Sequence, residues 1–215
     1  MNKIPVLFIF YLISCGASKN DLSTQHDRPD RFLMLLSKFD DKKFDTLQVY
    51  SPQDLEGEYK GVPLDSADAI LFPLEIAKQH FAEPPGIFAI YKFPIDKNRT
   101  ALIARTPSVY VQSSIKLFLL DRTKDTITSM IELAESWGDA GDYMEKKALL
   151  FKNQKQQLNA LIWLLIGHDS SVDNLADTTI QECNSYFLLN LSGNKADTVS
   201  KNYKDLSTKF EHLLR

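Results

Sequence analysis

The sequence predicts an α+β domain dominated by an antiparallel β-sheet meander, with short N-terminal helices before the sheet and one C-terminal helix after it. Three observations carry this. Apolar runs of strand length recur between residues 86 and 191, separated by polar clusters of turn formers such as PIDKN, RTKD and WGDAGD. The chain holds 13 Phe and 8 Tyr against only 8 Gly, a supply suited to packed strands rather than to a low-complexity chain. Helical spacing marks the two ends of the domain, at Phe32, Leu35, Leu36 and Phe39 and again at Tyr203, Leu206, Phe210 and Leu213.

In chain order, Asp30 stands where an N-cap would precede the helix in RFLMLLSKF, because its carboxylate can accept from the first free N–H groups. TLQVYS reads as a strand and SPQDLEGEYKGVP as a turn-rich connection. In LDSADAILFPL, Asp65 or Ser66 can cap one or two helical turns ending before Pro73. GIFAIYKF and RTALIART flank PIDKN as a hairpin, and VYVQSSIKLFLLD and TITSMIEL flank RTKD as another. WGDAGD supplies a third turn before the strand YMEKKALLF. QLNALIWLLIG (residues 157–166 are its core) satisfies both a helix and a buried strand; its length and the preceding turn KNQKQ favour the strand. HDSSVDNLAD reads as a polar loop and TIQECNSYFLLNL as a strand, and NYKDLSTKFEHLLR closes the domain as a helix. Sequential hairpins make chain neighbours sheet neighbours, hence the meander. The echo of FLLD…DTIT in FLLN…DTVS reads as two similar hairpins, since a repeat fold would need further copies.

The formal net charge of -3 arises from 25 basic and 28 acidic residues spread along the chain. No basic block is present to follow a phosphate backbone, so nucleic acid is not an expected partner.

The first 15 residues carry a different message. Lys3 is followed by the apolar run VLFIFYLI and then by the small residues Ser14, Gly16 and Ala17, the three parts of a secretory signal. A spanning helix needs roughly 20 apolar residues, and this run is far shorter. Its end, Leu12-Ile13-Ser14-Cys15, resembles the lipobox of bacterial lipoproteins: an aliphatic residue, a tolerated residue, a small residue and a cysteine. That resemblance implies cleavage before Cys15 and lipidation of its thiol with a diacylglyceryl group, together with acylation, palmitate being one such chain, of the new amino terminus. A thiolate is the strongest side-chain nucleophile available for such a step. Two or three chains hold durably, because each buried methylene contributes about 0.8 kcal/mol and one chain alone is marginal. The implied organisation is a cleaved signal peptide at 1–14, a lipidated flexible tether at 15–30 with the polar sequence GASKNDLSTQHDRPD, and a single globular domain at 31–215. The competing reading is an ordinary secretory signal cut after Ala17, with Cys15 discarded.

With Cys15 lipidated, Cys183 has no intrachain partner. Alternation places it on one strand face with Phe187, Leu189 and Leu191, so a buried, inert thiol is expected. The four histidines, His26, His80, His168 and His212, show no metal-ligand spacing, and His80 and His168 are expected in connections. No GxSxG, Walker loop or GxGxxG occurs. Asp169, Ser171, Asp173 and Asp177 match four positions of a calcium loop, but Asn174 replaces the turn glycine and Ile180 the bidentate glutamate. Asp139, Asp142 and Glu145 form a second acidic turn, and solvated turns are the expectation for both. Tyr91, Tyr110, Trp137 and Tyr143 could line a platform, although alternation makes core or rim packing the default.

No catalytic residue, metal ligand or cofactor is therefore nominated. The expectation is a membrane-anchored extracytoplasmic lipoprotein of the bacterial cell envelope, held to the lipid bilayer through acylated Cys15. It would act as a non-enzymatic binding or envelope-assembly module for an envelope protein or glycan ligand. The alternative is a cell-envelope hydrolase whose site is assembled from distant His and Asp/Glu residues.

Overall fold

The computed structural model describes residues 31–52, 57–108, 114–193 and 195–214, with side chains through Phe210. The expected signal peptide with Cys15, the expected tether with His26, the expected Asp30 cap, Tyr110 and the side chains of His212 and Leu213 lie outside the described residues.

The chain opens with α1 (Arg31–Ser37), which buries Phe32 and Leu35 at the expected spacing. Two short strands follow, β1 (Asp40–Asp41) and β2 (Thr46–Val49), and a third, β3 (Val62–Pro63), interrupts the stretch expected to be turn alone. α2 (Ser66–Ala69) is capped by Asp65, whose Oδ1 accepts from the backbone N–H groups of Ala67 and Asp68 at 2.9 and 3.0 Å. α3 (Leu74–Ala82) was not expected. Pro73 ends the α2 segment and also occupies the N-cap position of α3, where its lack of an N–H costs nothing.

The sheet strands are β4 (Phe88–Pro94), β5 (Arg99–Thr106), β6 (Ser114–Asp121), β7 (Thr126–Asp139), β8 (Asp142–Lys152), β9 (Leu158–Asp169), β10 (Ile180–Asn190) and β11 (Asp197–Ser200), and α4 (Tyr203–Leu214) closes the chain. β4 to β11 are hydrogen-bonded in chain order, each antiparallel to the next, so the meander is realised, and the ambiguous stretch is strand from Leu158 onward. The eleven-stranded sheet is nonetheless mixed, because β1 runs parallel to β4. With 49% strand and 18% helix the fold is mostly β, and its few helices pack on a large sheet.

The sheet folds over at β7. Its first part, through Ala134, pairs with β6, and its last five residues, Glu135 to Asp139, pair with β8. Where Ile115 opposes Ala134 and Lys116 opposes Glu132, Leu133 is an extra residue, and such a bulge bends a strand and sharpens its twist. Beyond Lys146 the edge of β8 is free of β7, and β2 occupies it through Ala148 to Phe151.

Three apolar layers result. Between the two halves of the sheet, Ile103, Leu117 and Leu119 meet Leu150, Ala160 and Ile162. The outer face of the first half, with Leu102, Phe118 and Leu120, is covered by Phe32, Leu35, Phe72 and Ile76 from the N-terminal helical region. α4 covers the second half, setting Leu206 and Phe210 on Leu149 and Leu161. Phe118 and Phe72 meet edge to face at 4.9 Å, and burying each contributes about 2–3 kcal/mol.

The meander sorts the turns. Those at 95–98, 122–125, 153–157 and 191–196 share one end, and each carries at least one Lys. The other end carries Asp139, Asp142, Asp169, Asp173, Asp177 and Glu182. There WGDAGD is tighter than expected: Trp137, Gly138 and Asp139 remain in β7, and only Ala140 and Gly141 turn, both at positive φ (48° and 89°), which suits a two-residue hairpin loop. Cys183 also departs from expectation, for it is exposed. Its register partner Ile166 is 51% exposed, because β9 and β10 run past the last core layer at Ile162 and Phe187 toward the acidic end. The alternation holds; the core stops short of it.

Candidate functional site

A recess opens at the lysine-bearing end, in the seam between the two halves of the sheet. β1 lies on β4 and β2 lies on β8, so the four residues between them, Lys42-Lys43-Phe44-Asp45, must cross from one half to the other. Alternation along this crossing turns Phe44 inward and leaves Lys43 and Asp45 exposed. A cleft of about 480 Å³ forms beneath it, within the usual range for small-molecule sites.

The floor of the cleft is apolar. Phe44 meets Phe93 edge to face at 4.8 Å, Ile95 and Leu158 lie beside them, and all four belong to or pack on the layer between the sheet halves. Phe93 and Leu158 are buried at 5% and 4% exposure, so the cleft ends on core rather than continuing through it. The rim carries Lys42, Lys43 and Lys152, with Asp45 as its acid. Lys42 is already engaged: its Nζ lies 3.3 Å from Glu58 Oε1 and 4.3 Å from the centre of the Tyr91 ring, and Tyr91 donates to the same Glu58 oxygen at 3.0 Å. Burial works against the charge on Lys42, but Glu58 and Tyr91 outweigh it and raise its pKa. Lys43 and Lys152 are exposed and make no ion pair among the described residues. The basic surface continues around Lys152 to Lys155 and Lys209.

A second polar assembly lies inside the molecule. On the helix-facing side of β5 to β7, Lys116 Nζ donates to Thr106 Oγ1 at 3.1 Å and to Ser114 Oγ, and lies 3.0 Å from Glu132 Oε1. Ser114 donates to that oxygen at 2.9 Å, and Lys146 reaches the other oxygen of Glu132 from β8. Burial alone would raise the Glu132 pKa, but the two lysines more than offset it and hold it down to about 2. A Ser beside a Lys is a pairing used in acyl transfer. Here Ser114 is fully buried and the Lys116 ammonium is ion-paired, so the group is built as a tie across β6, β7 and β8 in which two lysines share one carboxylate.

Of the described histidines, His80 and His168 lie on separate elements, α3 and β9. His80, expected in a connection, is 2% exposed on α3 with its ring edge to face with Phe81, and its Nδ1 lacks a hydrogen bond among the described residues. It was misplaced because α3 went unseen. His168 is the last residue but one of β9 rather than part of a loop. Its Nδ1 is 2.8 Å from Asp142 Oδ1 and its Nε2 3.1 Å from Asp173 Oδ2. Hydrogen bonding to Asp142, and then to Asp173, raises its pKa, which favours the imidazolium over a free base.

The calcium-loop positions are spent on local structure. Asp169 accepts from the N–H of Ser171, Asp177 from that of Thr179, and Asp173 faces His168. Among the described residues no group of three or more His, Cys, Asp or Glu converges as a metal would require. The aromatic candidates are scattered. Tyr91 is at the Glu58 cluster, while Trp137 and Tyr143 take opposite faces, because Trp137 opposes Met144 in the register. The Tyr143 ring lies across Gly167, where a Cβ would stand 2.2 Å from its Cζ, and its hydroxyl donates to Glu182 at 2.7 Å.

No protein-family model, curated protein or solved structure matches this chain. The cleft is therefore read from its own chemistry. Its residues come from the β1–β2 crossing, the β4–β5 hairpin and the β8–β9 hairpin, which are far apart in sequence. The local signal was KKFD, one aromatic set between lysines and an aspartate in an otherwise polar connection.

Proposed function

We propose that this chain is a membrane-anchored lipoprotein exposed outside the cytoplasm of a bacterium, acting as a non-enzymatic binding or envelope-assembly module with the seam cleft as its ligand seat. The observation that carries the reading is the cleft itself: an apolar floor continuous with the core, rimmed by lysines of which two make no ion pair among the described residues. The anchor rests on the lipobox-like Leu12-Ile13-Ser14-Cys15 and on the polar stretch that follows it. Among the described residues no helix is long and apolar enough to cross a membrane, and an acyl anchor requires none. The hydrolase alternative would draw on His168 with Asp142, yet both ring nitrogens of His168 already face carboxylates, an arrangement poor for a general base.

Two measurements test this. In bacteria fed an alkyne fatty acid, the wild type takes up label and Cys15→Ala does not; equal labelling of the two, or none in either, sinks the anchor. In native mass spectrometry of protein extracted from membranes, wild type carries a ligand adduct that Phe44→Asp loses. An adduct retained by a folded Phe44→Asp protein removes the cleft as the seat.

A further inference from the structure

The cleft's two kinds of surface specify a ligand class. The recess pairs five apolar residues, Phe44, Phe93, Pro94, Ile95 and Leu158, with the ammonium groups of Lys42, Lys43 and Lys152 at its lip, beside Asp45 and Gln156. Lys43 comes from the β1–β2 crossing and Lys152 from the end of β8, and the backbone N–H of Lys152 donates to the carbonyl of Asp45 at 3.4 Å, which joins the two segments at the recess. Asp45 is the single acid of the lining, so the lip keeps a cationic excess.

We infer that the cleft binds an anionic single-chain amphiphile, its hydrocarbon on the Phe44–Phe93–Leu158 floor and its carboxylate at Lys43 and Lys152. This rests on the reading of the cleft as the ligand seat and deepens it. Charge decides against the chain's own acyl groups as the occupant, since ester- and amide-linked chains bring no anion to the two lysines. Size agrees: about 480 Å³ suits one hydrocarbon chain with its head group, not a diacyl lipid with both chains inside. A carboxylate in this position is held by charge-assisted hydrogen bonds at the edge of an apolar, partly desolvated surface, where such contacts are stronger than in open water.

The test is calorimetric titration of the full-length protein in neutral phosphatidylcholine nanodiscs, with empty discs as the blank. The probes are decanoate, decanol and inorganic phosphate. Decanoate is expected to saturate at one site per chain and to bind at least about tenfold more tightly than decanol, with phosphate alone giving no saturable heat. Lys43→Glu combined with Lys152→Glu is expected to weaken decanoate at least about tenfold and to leave decanol unchanged. Both lysines are exposed, so the fold should tolerate the change, and the milder Lys43→Gln/Lys152→Gln pair, with its far-ultraviolet circular dichroism compared to wild type, guards against a folding artefact. Decanoate and decanol binding equally, or decanoate indifferent to both lysine pairs, overturns the anionic assignment. If decanol then still binds and Phe44→Asp abolishes it, the cleft remains a ligand seat for a neutral guest. If no probe binds, the amphiphile assignment fails, while the membrane-derived adduct described above still decides the broader reading.

Discussion

Replacing Glu132 by Gln keeps the shape of the side chain and removes its charge, leaving Lys116 at 9% exposure and Lys146 beside it without their shared counter-ion. The two lysines hold the Glu132 pKa at about 2, against 4.5 for the free group. At 1.36 kcal/mol per unit, that difference corresponds to about 3 kcal/mol of folding stability at neutral pH. The loss of one partner from a buried pair costs about 3–5 kcal/mol, so the two routes agree. Because the folded pKa lies below the unfolded one, this stability is present above about pH 4.5 and fades as pH falls toward about 2. Urea unfolding followed by circular dichroism, run at pH 7, 4 and 2.5, measures it. With a slope of about 2 kcal/mol/M, the variant's midpoint at pH 7 should fall by about 1.5 M, and the gap to wild type should narrow steadily with acidification. A gap under about 0.5 M at pH 7, or one that widens in acid, would refute the reasoning.

Two further outcomes follow from surfaces that the fold leaves open. Cys183 should react completely with Ellman's reagent in the native protein, within minutes and without denaturant; a thiol that reacts only after unfolding would contradict its exposed position. The His168 imidazole should titrate by NMR above 6.5, and Asp142→Asn should lower its midpoint more than Asp173→Asn does. Its raised folded pKa makes the clamp's contribution complete below about pH 6.5 and lost as pH rises through the raised value, and a midpoint at or below 6.5 would dissolve the clamp.

The strands were legible because most are buried on one face or both, which writes alternation or an unbroken apolar run into the sequence. β6, with all eight residues buried, and β8, with its apolar end at Ala148 to Leu150, are examples. α3 was hidden because its core-facing set, Ile76, Ala77 and His80, includes a residue normally read as polar, and because Pro73 was taken only as a stop. The exposure of Cys183 could not be read at all, since alternation assigns a face but not where the covering layer ends. The same limit hid Ser114, Lys116 and Glu132: a lysine within a strand reads as solvent-facing until a carboxylate from the next strand and a third element close over it. The cleft required the crossing between β1 and β2, two strands of two and four residues, and pairings that short leave almost no periodicity.

The claim that the seam cleft seats the ligand is tested most directly by methyl NMR of the isoleucine, leucine and valine side chains, recorded before and after addition of a lipid extract of bacterial membranes. The account predicts saturable shifts at Ile95 and Leu158, with Val172, Leu175 and Ile180 at the acidic end unmoved. Shifts confined to the acidic end, or none at Ile95 and Leu158 at any ligand level, would contradict it.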